Sequence, residues 1–271
     1  MKSPIIKSAA ALSLALILGV GITGCSAAAN NPNNSTELSS SEQNTLESAG
    51  GELNEENFAE VLADAALAAG TVHIEQTTDM GGQSIVSSSD VVLSQDVSHS
   101  AVASVMTVPG GSVFESRFVD GVFYLNLGEL TESKFVAVEP SSTNPLAEQL
   151  AQVIDQADYL AQVRALAAAM HHFPKAEGTE EIDGVETTIY TLMLETELLL
   201  ERQGLDSLVD TSALPEMLDY VLYLGSDNLP RRILMELGDT PVEVNYTGWG
   251  AELDIQAPSD DQITESDVLG L

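Results

Sequence analysis

The chain has 271 residues, a formal charge of −33, 5% aromatic residues and one cysteine. So negative a balance excludes nucleic acid as a partner, because binding to a phosphate backbone rests on Lys and Arg clusters that release counterions. It also opposes contact between the protein body and anionic lipid heads. A single cysteine excludes an internal disulfide or a cysteine-built metal cage, so the folded part must be held by its core, and the length suffices for one domain with a sizeable one.

The chain opens with Lys2 and Lys7, then an almost wholly apolar run from Ala9 to Ile22. That run falls short of the roughly 20 residues needed to span a bilayer, so residues 1–24 read as a signal peptide rather than a membrane helix. The string Ile22-Thr23-Gly24-Cys25 resembles a bacterial lipobox, which implies that Cys25 is acylated and becomes the mature N-terminus. The competing reading is an ordinary secretory signal that happens to contain a cysteine; the placement of the sole Cys favours the lipobox. A diacylglyceryl thioether plus an N-acyl group such as palmitate would supply the two hydrophobic signals that lasting anchorage takes. The expected location is the extracytoplasmic face of the cell membrane, with the membrane itself as partner through acylated Cys25. Loss of Lys2 and Lys7 brings the mature chain to 7 − 42 = −35.

Residues 25–53 follow the acylated Cys with mostly Asn, Ser and Glu, too few large apolar groups to fold. A flexible coil of roughly 28 residues spans about 30 Å, enough to hold a domain off a bilayer without fixing its orientation. A single domain is expected over residues 54–265, with 266–271 a disordered tail; the acidic run from Ser259 onward reads as a frayed end.

Within the domain, Phe58, Val61, Leu62, Ala65, Ala66 and Ala69 recur at helical spacing, with Asn54 able to cap the start and Gly70 to close the end. Strand-like alternation then sets Val72, Ile74, Gln76 and Thr78 against His73, Glu75, Thr77 and Asp79. Gly81-Gly82 turns the chain into a strand over Gln83 to Leu93. Further alternating stretches cover Val97 to Thr107, Val113 to Val119, Val122 to Leu127 and Lys134 to Val138. These short hops predict an antiparallel meander, because parallel strands need crossovers of a dozen or more residues.

From Asn144 the period becomes helical: Leu146, Leu150, Val153 and Ile154 make one apolar stripe, and Leu160, Val163, Leu166, Ala167 and Met170 a second. Strands resume over Ala176 to Ile182 and Val185 to Leu194, joined by Asp183-Gly184. A short helix near Glu197 to Gln203 precedes strands over Met217 to Leu224, Arg231 to Leu237, Val242 to Tyr246 and Leu253 to Ile255. Arg231-Arg232 beside Pro230 reads as blunting a strand edge.

The order helix, meander, helix pair, second meander, behind a lipobox and polar tether, resembles the LppX/LprA/LprF/LprG lipoproteins of actinobacteria. These are relatives in fold of the LolA and LolB lipoprotein carriers. The local strings that carry the resemblance are Asp183-Gly184-Val185-Glu186-Thr187-Thr188-Ile189-Tyr190, Tyr223-Leu224-Gly225-Ser226-Asp227-Asn228-Leu229-Pro230-Arg231-Arg232, and Asn245-Tyr246-Thr247-Gly248-Trp249-Gly250. What the resemblance implies is an α+β fold: a strongly curved antiparallel half-barrel sheet, helices covering its concave face, and an apolar cavity between them. That cavity would take acyl chains of a lipid, glycolipid or lipidated molecule, making the protein a carrier or chaperone in the cell envelope.

The expected cavity lining is Ile74, Ala101, Ala103, Val105, Phe123 and Leu125 from the first meander. The helices would add Leu150, Val153, Ile154, Leu160, Val163, Leu166 and Met170, and the second meander Ile189, Met193 and Leu222. Small and flexible side chains more easily leave an unfilled volume than Phe and Trp do. A packed core fits the same pattern, and would make the protein a surface-interaction or structural lipoprotein, or a sensor modulating a membrane protein.

No enzymatic motif stands out: the chain holds no Gly-x-Ser-x-Gly elbow, no His-Glu-x-x-His and no phosphate-binding Gly-rich loop. His171-His172 reads as a solvated helix end rather than a metal pair, since adjacent helical residues point in different directions. His73 and His99 read as exposed strand histidines. No cofactor or metal is expected, and the protein is expected to be monomeric.

Overall fold

The computed structural model describes residues 53–79, 82–139, 159–203 and 214–264. Cys25, the signal peptide, the tether up to residue 52, Leu150, Val153, Ile154, the side chain of Leu160 and the tail 266–271 lie outside the described residues.

Helix α1 (Phe58–Ala69) opens on a turn in which the Asn54 side chain accepts from the backbone N–H groups of Glu56 and Asn57, at 2.9 and 3.1 Å. It ends at Gly70, whose φ of 77° directs its N–H back to the Ala66 carbonyl. Its stripe of Phe58, Leu62, Ala63 and Ala66 is buried, and burying Phe58 and Leu62 contributes about 1.5–3 kcal/mol each.

The alternating segments form the strands β1 (Thr71–Asp79), β2 (Ser84–Val92), β3 (Ala101–Thr107), β4 (Val113–Val119), β5 (Val122–Asn126) and β6 (Phe135–Val138). After helix α2 (Tyr159–Ala169) come β7 (Gly178–Ile182), β8 (Val185–Glu195), helix α3 (Thr196–Arg202), β9 (Met217–Gly225), β10 (Pro230–Leu237), β11 (Thr240–Thr247) and β12 (Ile263–Thr264). The tight hairpins turn on residues that tolerate positive φ: Asp120-Gly121 at 52° and 77°, and Asp183-Gly184 at 49° and 79°. Both central residues are left-handed, which matches the twist of the flanking strands.

All the strands join one 12-stranded sheet in the order β12-β6-β5-β4-β3-β2-β1-β11-β10-β9-β8-β7. The two meanders meet at its centre, where β1 runs antiparallel to β11 with His73 opposite Thr247 and Thr78 opposite Val242. The sheet is unclosed: β7 and β12 form separate edges. An open twisted sheet of this width curls, and here it makes the half-barrel, with helices on its concave face.

One face of nearly every strand is buried. Val72 and Ile74 of β1, Val102 and Met106 of β3, Phe118 of β4, Leu192 and Leu194 of β8, Leu218, Tyr220 and Leu222 of β9, and Val242, Val244 and Tyr246 of β11 all face inward. Helix α1 packs on α2 and α2 on α3; α1 touches β1, while α2 and α3 touch β8.

The C-terminal stretch departs from expectation. Leu253 to Ile255 is extended but joins no strand ladder. The chain from Ala251 onward crosses the outer face, held where Thr71 Oγ1 donates to the Ala251 carbonyl (2.7 Å) and where Arg117 Nη1 donates to the Gln256 carbonyl (3.0 Å). Ser259 to Thr264 is not frayed: Ser259 and Gln262 form a capping box, and Ile263 and Thr264 pair in parallel with Phe135 and Val136. That parallel pair arises because the strap returns across the sheet instead of turning back in a hairpin.

Candidate functional site: the concave face

Strand periodicity decides which side chains reach the interior, and a slip of one residue exchanges the two faces. Ile74, Phe123, Leu125 and Leu222 are buried on the concave face, and Val163 and Leu166 of α2 are buried against it. Met170, just past α2, is half-buried, packs on the core and bridges to Leu194 of β8.

Five expected lining residues lie on the other side. Ala101, Ala103 and Val105 occupy the outer face of β3, with Val105 43% exposed, while Val102, Ser104 and Met106 point in. In β8, Ile189 and Met193 face out, with Met193 37% exposed, and Tyr190, Leu192 and Leu194 face in. Both strands carry apolar residues at both parities, so their alternation leaves the inward set open. In β3 the phase is also shifted, because Val97 to His99 is a 3-10 turn capped by Asp96 rather than the first residues of the strand.

No Lys, Arg, His, Asp or Glu is among the buried described residues. The interior is nonetheless not purely apolar. On β1 to β4 the concave face carries Gln76, Thr78, Ser87, Ser89, Ser104 and Ser116, each buried. Ser89 and Ser104 Oγ atoms meet at 2.7 Å, and Gln76 Nε2 donates to Thr78 Oγ1 at 3.2 Å. Gln76 Oε1, Ser87 Oγ and Ser116 Oγ have no partner among the described residues.

On the other half of the sheet, the hydroxyls of Tyr159, Tyr220 and Tyr246 are likewise buried without a partner. Burial pushes all three phenols above their ordinary range, and their proximity adds to the effect for Tyr220 and Tyr246. Neither polar set was singled out from the sequence. The signal was present for the first: Gln76 and Thr78 share parity with Val72 and Ile74, and Ser87 and Ser89 with Val91.

Arg232 and its partners lie on the outer face. Arg232 donates from Nε to Asn245 Oδ1 at 3.1 Å, lies 3.5 Å from Glu180 and 3.6 Å from Glu243, and sits over the Tyr223 ring. Arg231 pairs with Asp227 at 2.6 Å. Neither arginine blunts an edge, because β10 is an internal strand between β9 and β11. His73 is half-buried rather than exposed, with Nδ1 2.7 Å from Asp90 on β2. His171 and His172 are exposed and stack edge to face. His99 ends the 3-10 turn rather than lying in a strand. Among the described residues no cluster of three or more His, Cys, Asp and Glu could hold a metal, and no helix is long and apolar enough to cross a membrane.

No protein-family model and no curated protein sequence matches the chain. Solved structures do. LprF from Mycobacterium bovis aligns at 16% identity over 76% of this chain and 99% of its own, with a TM-score of 0.52. The lipoprotein LppX from Mycobacterium tuberculosis aligns at 16% identity over 73% of this chain and 98% of its own, with a TM-score of 0.42. The unclosed, mostly antiparallel sheet with helices on its concave face is therefore the α+β fold of LprF.

Proposed function

We propose that the protein is a lipoprotein held on the extracytoplasmic face of the cell membrane by acylated Cys25. Its interior takes acyl chains of a lipid, glycolipid or lipidated molecule, and its role is to carry or chaperone that cargo in the cell envelope, by binding rather than catalysis. The observation that carries this reading is an interior whose buried residues, among those described, bear no charge, between an open half-barrel and helices that present Ala63, Ala66, Ala165 and Ala169 among their buried residues. The fold of LprF and the lipobox-like string support it.

Burial of one long acyl chain contributes on the order of 10 kcal/mol relative to water, at about 0.8 kcal/mol per methylene, before ordering costs. Relative to a bilayer the gain is near zero, because both are apolar. Such a protein exchanges cargo with membranes with little bias, as a shuttle requires.

The test is to purify the Cys25→Ser chain and examine it by native mass spectrometry and solvent extraction, then titrate it with a fluorescent alkyl probe. Co-purified lipid or saturable probe uptake is expected; absence of both overturns the carrier reading. That outcome would favour a filled-core lipoprotein meeting a partner through its outer face. The fully buried Phe58, Phe118 and Phe123 speak for this second reading.

A further inference from the structure

The polar residues on β1 to β4 form a lane fixed by strand register. Gln76 lies directly opposite Ser87, Ser89 opposite Ser104, and Ser104 opposite Ser116. With neighbouring strands about 4.8 Å apart, the three aligned serines cross roughly 10 Å of the concave face. The surrounding inward positions are apolar: Ile74, Val91, Val102 and Met106 are all buried. Two internal contacts, Ser89 with Ser104 and Gln76 with Thr78, leave three oxygen atoms unmatched, on Gln76, Ser87 and Ser116, in side chains only 6%, 4% and 4% exposed.

A buried polar atom without a partner is destabilising, because it has given up water and gained nothing in exchange, so three on one lane call for a partner supplied from outside the chain. The chemistry of the orphans narrows it. The amide oxygen of Gln76 only accepts, whereas the serine hydroxyls both donate and accept. A hydroxyl group answers all of them. An ester carbonyl only accepts, and a phosphate or carboxylate also brings charge into an interior where, among the described residues, no buried group offsets it.

Resting on the carrier reading above, we infer that the lane of Gln76, Ser87, Ser89, Ser104 and Ser116 is a hydrogen-bonding subsite inside the half-barrel. It takes an uncharged, hydroxyl-bearing part of the cargo, a sugar or a glycerol, so that this part is buried with the acyl chains rather than left in solvent.

The test uses the Cys25→Ser chain loaded with a fluorescent alkyl probe and three uncharged oleoyl lipids as competitors, the hydroxyl-free one carrying three chains and the others two, so that chain burial alone would favour the former. These are trioleoylglycerol, with no hydroxyl, dioleoylglycerol, with one, and monogalactosyl dioleoylglycerol, with several. The hydroxyl-bearing competitors are expected to displace the probe at roughly ten-fold lower concentration than trioleoylglycerol, and their order relative to each other identifies glycerol or sugar as the favoured group. Ser87→Ala with Ser116→Ala should erase that preference, so that the three competitors displace the probe at similar concentrations. The double variant should fold, because neither hydroxyl has a partner to lose. Equal competition by all three lipids in the parent chain, as when water alone serves the lane, overturns the inference and leaves the carrier reading standing. So does a preference that survives in the variant. Failure of the probe to bind removes the carrier reading, and the lane's ligand with it.

Discussion

Arg117 of β4 and Gln256, 139 residues later, are joined by a 3.0 Å hydrogen bond from guanidinium to backbone carbonyl, and the same guanidinium stands 5.0 Å over the Phe135 ring. This pins the C-terminal strap to the outer face beside β6, where β12 completes the sheet. Arg117→Ala should therefore cost about 1–2 kcal/mol. The loss should be local: hydrogen exchange at residues 251–264 should accelerate well before that of β1 and β11. Uniform acceleration across the sheet would show that the strap is not a separate unit.

Two serines on one row should respond in opposite ways. Ser104→Ala leaves Ser89 without its partner and should lower stability by about 1 kcal/mol, whereas Ser116→Ala removes an orphan oxygen and should leave stability unchanged or raised. Urea denaturation midpoints of the two variants decide it.

The face assignment of β3 is checked by a pair of neighbours. Val102 is 3% exposed and Val105 43%. Val102→Ser should cost about 2 kcal/mol or more, through lost burial and a new buried hydroxyl, while Val105→Ser should stay within about 0.5 kcal/mol. The reverse order in thermal denaturation would mean that β3 presents Val105 to the interior after all.

Stability should fall steeply in alkali. Burial raises the Tyr159, Tyr220 and Tyr246 phenols above the ordinary value of 10.0. An unfolded chain loses these protons near pH 10 while the folded one keeps them, so their contribution is complete below pH 10 and is lost as pH rises toward the folded values. Three such groups give a slope of about 4 kcal/mol per pH unit, from about 1.4 for each. Tyr220→Phe should remove about a third of that slope in denaturation curves taken from pH 9 to 12, with little change at pH 7.

The anchor has its own test. On the proposal that Cys25 is acylated, Cys25→Ser should move the protein from the membrane fraction to the soluble fraction of cells producing it, because anionic lipid heads repel the acidic body. Retention of the variant in the membrane fraction would remove the anchoring proposal while leaving the fold untouched.

Local chemistry was legible where one parity or one turn had a single physical solution. Asp120-Gly121 and Asp183-Gly184 can only reverse the chain tightly, Gly70 can only end α1, and in β1 the contrast of Val72 and Ile74 with His73 and Glu75 leaves one choice of inner face. The helix–meander–helix–meander order, and with it the α+β half-barrel, followed from such local signals together with the family resemblance. In β3 and β8 the sequence was apolar on both sides, and the inward set depended on what each strand packed against.

What the sequence determined by itself was most of the strands, helices and turns from α1 to β11, since propensity, alternation and capping act within a few residues; the 3-10 turn at Val97–His99 and the strand β12 lay outside it. Only the tertiary structure decided that β1 pairs with β11, that the strap from Ala251 to Thr264 crosses the outer face, that Arg231 and Arg232 lie in an internal strand, and that Gln76 and four serines from three other strands share one lane. Those are contacts between residues far apart along the chain. Their selection rests on the summed burial of the whole sheet, to which no local pattern has access.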